Sequence, residues 1–383
     1  MRWSKRIIGA AEWDEDVDMP MAAHVAADGS LHLIIKRPDD NLRELWWTDT
    51  TSGAGDLTGH GAPPAVPRSE FESELGDVAS YVTRDDGRQH VVYVTKDRQL
   101  WELSWLGSQP AQGGNLLAQT LAPRPNPFLS AYVGHDGSQH VIYLDQFRRV
   151  IELQWSGNAV PVPQVAGGDA EHGGFPADNR PICSHVYPFD GNSQHAFYLS
   201  GGEIIELRKA MGKDWHARNL TRIGSGAPPL ALSGLASHVA LDQTQHVFYV
   251  AATGEIIELW WRGNDAPQAE NLTKQAGPPF PHAAIFSTDL TGPASPPVAT
   301  HYVPSEGTQH VFFADPHGAA SEIWWRGPGP KTPEDLTKLA GAPLVNIIPP
   351  FHSLVAADGS QHVIILSSTS STEKAFVDLV ARP

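Results

Sequence analysis

Seven histidines, each followed at nearly constant distance by an acid, are the residues of this chain best suited to chemistry. His32, His90, His140, His246 and His310 each precede a glutamate by 12 residues, at Glu44, Glu102, Glu152, Glu258 and Glu322. His195 precedes Glu206 by 11 residues, and His362 is followed by Asp378 across a longer turn. A carboxylate accepting from an imidazole N–H fixes the ring's tautomer and raises its basicity. Such a pair can brace two strands as a satisfied polar contact, or it can form the polar half of a ligand site. One acid–base reaction or one metal needs a single constellation, so recurrence in every unit favours a brace or the binding of a repeated ligand. Tryptophans follow the acids, at Trp46, Trp47, Trp105, Trp155, Trp260, Trp261, Trp324 and Trp325. Strand alternation puts Trp46, Trp260 and Trp324 on the acid's face and the tryptophan three residues after each acid on the opposite face. Those packed on a neighbour fill core, and any exposed one suits stacking on the apolar face of a sugar ring.

The elements that carry these pairs repeat. Successive anchor histidines lie 50 to 64 residues apart, a period at which repeats must be sought before secondary structure. Thr244-Gln245-His246-Val247-Phe248-Tyr249 and Glu255-Ile256-Ile257-Glu258-Leu259-Trp260-Trp261 read as two strands around a Gly turn, rich in strand-forming residues. A short apolar run precedes each anchor, as in His238-Val239-Ala240-Leu241-Asp242. Small polar stretches close most units and read as a fourth strand: Asp56-Leu57-Thr58, Asn115-Leu116-Leu117, Asn219-Leu220-Thr221, Asn271-Leu272-Thr273 and Asp335-Leu336-Thr337. Proline in Gly61-Ala62-Pro63-Pro64 and Gly226-Ala227-Pro228-Pro229 ends pairing there. No segment carries a capped helical period. Four antiparallel strands repeated seven times predict an all-β fold, a seven-bladed β-propeller of four-stranded blades, as one domain over residues 1–383.

The seventh unit has three strand patterns, at Ser353 to Ala356, Gln361 to Leu366 and Ala375 to Ala381, and then the chain stops. Trp3-Ser4-Lys5-Arg6-Ile7-Ile8-Gly9 matches the spacing of Trp215-His216-Ala217-Arg218-Asn219-Leu220-Thr221. Residues 1–10 are therefore expected to supply the missing strand and close the ring. The first-strand positions His24, Tyr81, Tyr132, His185, His238, Tyr302 and Leu354 are expected to line a central channel. Tyrosines among them break up any metal set. Loops are expected at Pro123 to Pro127, Gly167 to Pro176 and Gly292 to Pro297.

Composition excludes several partners. Hydrophobic residues form 41 % and charged residues 18 % of the chain, enough for a packed core. A formal charge of −16 opposes a nucleic-acid backbone or an anionic membrane surface. No apolar run reaches membrane-spanning length, so membrane insertion is not expected. The single Cys183 and the lack of a secretory pattern near Met1 point to a cytoplasmic location by default. Leaderless export or surface association stays open. No phosphate loop, zincin motif or nucleophile elbow is present, and no cofactor or metal is expected.

Gln245-His246-Val247-Phe248-Tyr249 with Gly254-Glu255-Ile256-Ile257-Glu258-Leu259-Trp260 resembles the repeat of the fucose-binding β-propeller lectins, and the seven-unit count is similar to the bacterial seven-bladed members. The likeness extends over nearly the whole chain through short, degenerate motifs. It implies that an acid and a basic residue of one blade hold sugar hydroxyls while a tryptophan stacks on the ring. Histidine stands here where that family has arginine, and imidazole offers fewer donors than guanidinium. The family's later tryptophan is matched at Trp215 and Trp3. The resemblance thus implies the fullest sites at His195, Glu206 and Trp215 and at His362, Asp378 and Trp3, with His246, Glu258, Trp260, His310, Glu322, Trp324, His140, Glu152, His90, Glu102, His32 and Glu44 as the other candidates. The expected function is non-catalytic glycan binding through several weak inter-blade sites, fucose or a related monosaccharide being the implied ligand, with a homo-oligomer possible in principle. An enzyme or small-ligand protein with one site at the channel mouth, and a protein-interaction scaffold, are the competing classes.

Overall fold

The computed structural model describes residues 2–11, 21–36, 41–58, 78–95, 97–169, 174–178, 180–226, 228–232, 234–277, 283, 298–341, 345–368 and 374–382. Gly61 to Pro64 and Gly292 to Pro297 lie outside the described residues. Seven four-stranded antiparallel sheets account for almost all of the regular structure, as the repeat predicts. These are the blades of a seven-bladed β-propeller. The first six run in chain order from Met21 to Asp56, Val78 to Asn115, Pro125 to Gly167, Cys183 to Asn219, Ala236 to Asn271 and Val298 to Asp335. Their strands are named A to D here. In blade 5 they are Ala236–Val239, Thr244–Val250, Ile256–Arg262 and Gln268–Asn271.

Blade 7 takes its strands A to C from Val345–Val355, Gln361–Ser368 and Lys374–Arg382. Its fourth strand is Arg2–Ala11, antiparallel to the last one, with Trp3 opposite Ala381 and Arg6 opposite Asp378. The N-terminal strand therefore completes the seventh blade in the register expected from Trp215.

By internal contacts the chain forms two units. One holds blades 1 to 4 without Gly202–Ile204 and Asn219, and the other holds those residues, blades 5 to 7 and the N-terminal strand. Within each unit, burial falls from strand B to strand D. Strand B is buried along its whole length in blades 1, 2, 3, 5 and 6, so both faces must be apolar or hydrogen-bonded. Strand D is exposed or half-buried, as at Ser52–Asp56 and Gln268–Asn271.

Adjacent blades share apolar clusters. Phe248, Val250 and Ile256 of blade 5 pack on Val311, Ile323 and Trp325 of blade 6. Ile142, Leu144 and Val150 of blade 3 pack on Ala196, Leu207 and Trp215 of blade 4. The tryptophans three residues after the acids, Trp47, Trp105, Trp155, Trp261 and Trp325, are all buried. Core filling is their role.

Three expectations are corrected. The small polar stretches are not strands: strand D ends at Asn219, Asn271 and Asp335, and a single helical turn begins at the next leucine. The Asn or Asp side chain caps that turn by accepting from the amide three residues on. The threonine hydroxyl accepts from an amide at the start of strand C, Thr221 from Ile204, Thr273 from Ile256 and Thr337 from Ala320. Thr273→Val should leave the buried Ile256 amide unpaired and cost about 1–3 kcal/mol in urea denaturation, whereas Thr273→Ser should cost much less. The loop expected at Pro123 to Pro127 is partly strand, since strand A of blade 3 is Pro125–Val133. Finally, the residue opposite His310 is His301, not Tyr302, because the turn after strand A of blade 6 differs in length by one residue.

Candidate functional site

Every anchor histidine contacts its acid. Nδ1 lies 2.6 Å from Glu44 in blade 1, 2.9 Å from Glu102 in blade 2, 2.8 Å from Glu152 in blade 3 and 2.7 Å from Glu206 in blade 4. The distances are 2.6 Å to Glu258, 2.5 Å to Glu322 and 2.9 Å to Asp378 in blades 5 to 7. The contact is diagonal, because the ladder sets Phe248 opposite Glu258 and His246 opposite Trp260.

The other ring nitrogen is also engaged. Nε2 of His140 lies 2.7 Å from Ser138 Oγ, which lies 2.5 Å from Asp136 Oδ1. The same chain recurs through Ser30 and Asp28, Ser193 and Asp190, Thr244 and Asp242, and Ser360 and Asp358. With both nitrogens bonded and the rings buried, the histidines brace the hairpins and hold no donor for a ligand. His32, His90, His140, His195, His246, His310 and His362, expected as sugar contacts, are placed as hairpin braces beside their acids.

The hydroxyl has one proton, and a 2.5 Å contact with an acid takes it. The imidazole Nε2–H then donates to the hydroxyl, and one further proton lies between Nδ1 and the glutamate. Its position differs between blades. Burial pushes Glu152 up, but the bond to His140 and the Lys209 ammonium outweigh it and hold the acid below the usual carboxylate range. Burial of Glu206 is likewise outweighed, by His195 and Arg218. In blade 6 burial and the nearby Glu334 prevail and push Glu322 well above the usual range, and burial lowers His310 to about 4.

The aromatic strand-A residues are engaged with their own blade and the next. Their rings stack on the anchor histidines, His24 on His32, Tyr81 on His90 and Tyr132 on His140 at 4.8–5.1 Å, nearly parallel. Each also reaches the glutamine before the next blade's anchor: His24 to Gln89, Tyr132 to Gln194, His238 to Gln309 and His301 to Gln361, at 2.8–3.1 Å. This is a blade-to-blade clasp within each unit.

What varies is the strand-D residue facing the acid. Glu44 faces Gly55 and Glu102 faces Gly114. Glu152 faces Gln164, Glu258 faces Glu270, Glu322 faces Glu334, and Asp378 faces Arg6. In blade 4 Arg218 Nε donates to Glu206 Oε2. In blade 3 the second oxygen, Glu152 Oε2, accepts from Lys209 Nζ at 2.7 Å and from Trp215 Nε1 at 2.8 Å. The expected trio of His195, Glu206 and Trp215 is therefore divided, since Trp215 serves the acid of the preceding blade. Trp3 likewise turns to blade 6 and meets Phe312 edge-on at 6.3 Å, so it does not join His362 and Asp378. Both tryptophans are buried.

Glu270, Glu334, Gln164, Lys209 and Lys331 were not singled out by the repeat. The signal for three of them was parity: in register with the acid, strand D presents the same face.

Blade 1 leaves room beside its acid. Glu44 gives Oε1 to His32, and a side chain at Gly55 would meet nothing within 4 Å. Half-buried Trp46 lies across Gly53, where an added Cβ would sit 2.5 Å from the indole. Only glycine lets that ring lie flat on strand D. Blade 2 supplies half-buried Trp101 and Ala111 to the cluster facing blade 1. Blade 2 repeats the pattern in part, with Glu102 opposite Gly114 and open space there. Aromatic faces, an oriented acid and room at the glycine can hold a small hydroxylated ring.

No family model matches the sequence, and no curated protein matches it. Solved structures do. The BP39L lectin from Burkholderia pseudomallei aligns with a TM-score of 0.65 at 15 % identity, covering 92 % of this chain and 93 % of that one. AofleA from Arthrobotrys oligospora aligns at 0.53 and 12 % identity over 87 % and 90 %. The SapL1 lectin, solved with α-methyl fucoside, aligns at 0.52 and 14 % over 84 % and 96 %. At this identity the likeness concerns the fold: the chain has the β-propeller architecture found in these lectins.

Proposed function

We propose that the protein is a carbohydrate-binding protein, without catalytic activity, whose sites are grooves between successive blades. The observation that carries this reading is blade 1, where Glu44 is pinned by His32 and flanked by Trp46 lying across Gly53 beside open space at Gly55. A sugar there would stack its apolar face on indole and give a hydroxyl proton to Glu44, the same division of labour that made aromatic and acid residues attractive in the sequence. The lectins it resembles in fold, one of them solved with a fucoside, support carbohydrate as the ligand class, and fucose is the first monosaccharide to test. Single shallow sites bind weakly, and several on one chain gain from a multivalent glycan.

Titration calorimetry with α-methyl fucoside, backed by a glycan array, tests the reading. Glu44→Gln or Trp46→Ala should weaken binding in the blade 1 groove at least tenfold, about 1.4 kcal/mol, with unchanged denaturation for the glutamine variant. Silence on the array together with no heat at millimolar monosaccharide would overturn it.

A further inference from the structure

Within one unit, blades 1 and 2, 2 and 3, 3 and 4, 5 and 6, and 6 and 7 follow each other. In each pair the later blade presents two positions to the earlier one. The first stands three residues after its own acid on strand C. The second stands three residues before the strand-D residue that meets that acid. An odd offset puts both on the face turned away from their own acid. For blade 1 they are Trp105 and Ala111, for blade 2 Trp155 and Pro161, and for blade 6 Ala381 and Trp3. For blade 3 they are Lys209 and Trp215, and for blade 5 Trp325 and Lys331. A lysine and an indole are thus paired twice with their strands exchanged.

The two ammonium groups end in equivalent places. Lys209 Nζ donates to Glu152 Oε2 at 2.7 Å, to Gln164 Oε1 at 3.1 Å and to Gln154 Oε1 at 3.4 Å. It lies 5.6 Å from the centre of the Trp215 ring. Lys331 Nζ lies 3.7 Å from Glu258 Oε2, 3.5 Å from Glu270 Oε2 and 4.0 Å from the centre of the Trp325 ring. Each ammonium meets the acid oxygen that the histidine leaves and makes a cation–π contact with the indole.

An acid oxygen and an aromatic face are what a sugar would use in such a groove. In blade 3 both are taken. Glu152 Oε2 accepts from Lys209 and Trp215, one bond for each lone pair, and the three ammonium donors are spent on Glu152, Gln154 and Gln164. Lys209, Gln154 and Gln164 are half-buried, as are Lys331 and Glu270, so both ammonium groups stand near the surface.

We propose that Lys209 and Lys331 are internal ligands: each ammonium occupies the groove of the preceding blade and shuts it to sugar. The grooves of blades 1 and 2, whose facing positions carry no lysine, are the ones left to receive it. The exclusion of sugar rests on the carbohydrate reading above, while the occupancy rests on the lysine geometry alone. A tethered group acts at an effective concentration of about millimolar or more, so a weakly held monosaccharide does not displace it. All the contacts are non-covalent.

Calorimetry with α-methyl fucoside on the full chain counts the sites. Lys209→Ala should add one fucoside site per chain, Lys331→Ala another, and the double variant two. Lys209→Met removes the charge but keeps most of the groove filled, and should add none. That variant separates occupancy from a loss of stability common to both substitutions. Methylammonium, the lysine head group alone, should bind Lys209→Ala at one per chain and raise its urea midpoint, and should do neither to the parent chain. Lys331→Ala, at the looser of the two contacts, carries the same tests if Lys209→Ala does not fold. An unchanged number of fucoside sites in both alanine variants, with the parent chain binding fucoside, overturns the closed grooves and leaves the carbohydrate reading intact. Methylammonium bound by the alanine variants, with no fucoside bound by any chain, supports the internal ligand and overturns its role against sugar.

Discussion

Glu152→Gln is expected to lose about 3–5 kcal/mol of stability at pH 7, the scale for breaking a buried ion pair, whereas Glu322→Gln should lose little or none. The two glutamates occupy equivalent positions and are equally buried, each at 1 % exposure. Their partners differ. Glu152 accepts from His140, Lys209 and Trp215. An amide in its place leaves the Lys209 ammonium, 13 % exposed, without its counter-charge. Glu322 meets His310 and faces another acid, so it gives nothing that a neutral amide cannot give.

The pH dependence follows with opposite signs. The folded protein holds Glu152 below the usual range, so its contribution is present above the unfolded value, about 4.3, and fades as pH falls through the folded one. Glu322 is held above the usual range. Its contribution is complete below the unfolded value and lost as pH rises through the folded one. Urea denaturation of both variants between about pH 2 and 8 should therefore show the Glu152→Gln deficit shrinking below about pH 4, while Glu322→Gln gains on the parent toward alkali. Equal losses for both variants at neutral pH would contradict the proton placement derived for blades 3 and 6.

Deleting residues 1–11 should have the larger effect still. The strand Arg2–Ala11 pairs with Lys374–Arg382 from Trp3 opposite Ala381 to Ala11 opposite Lys374. Trp3 is 5 % exposed and packs among Phe312, Leu336, Leu379 and Ala381. Trp3→Ala alone should cost about 3–5 kcal/mol, the range for emptying a large aromatic site. Removal of the whole strand also bares the edge of Lys374–Arg382, and an unpaired edge recruits another chain. Size-exclusion chromatography should show self-association of the truncated chain, reversed by a peptide of residues 1–11 in trans. A truncated chain that stays monomeric with an unchanged denaturation midpoint would show that blade 7 does not depend on this strand.

The architecture was readable because its signals are redundant. Seven His/acid hairpins, the aromatic strands around them and the Trp3–Trp215 correspondence all point to one register, and the structure follows it. The candidate site was readable only in part. Spacing within a repeat assigns Trp215 to Glu206, but Trp215 stands three residues before Arg218, which bonds Glu206. An odd offset on a strand turns a side chain to the opposite face, so Trp215 looks back to Glu152. Lys331 is hidden for the same reason: its partners lie one repeat upstream, and no single unit contains the site. His301 was displaced by Tyr302 because one extra turn residue shifts every alternation beyond it. The division of labour among histidines was also invisible, since the hydroxyl and acid that occupy Nε2 lie in the turn before the strand.

The fall in burial from strand B to strand D has a consequence for how such a protein can change. Strands B and C hold the pinned acid against its buried histidine. The residue that meets the acid comes from the outermost, solvated strand, and across the blades it is Gly55, Gly114, Gln164, Arg218, Glu270, Glu334 and Arg6. One substitution there resets the charge and volume of a groove without touching the core. Mutational drift can therefore alter each blade's outer face separately, so that a single chain comes to display several different surfaces built on one shared socket.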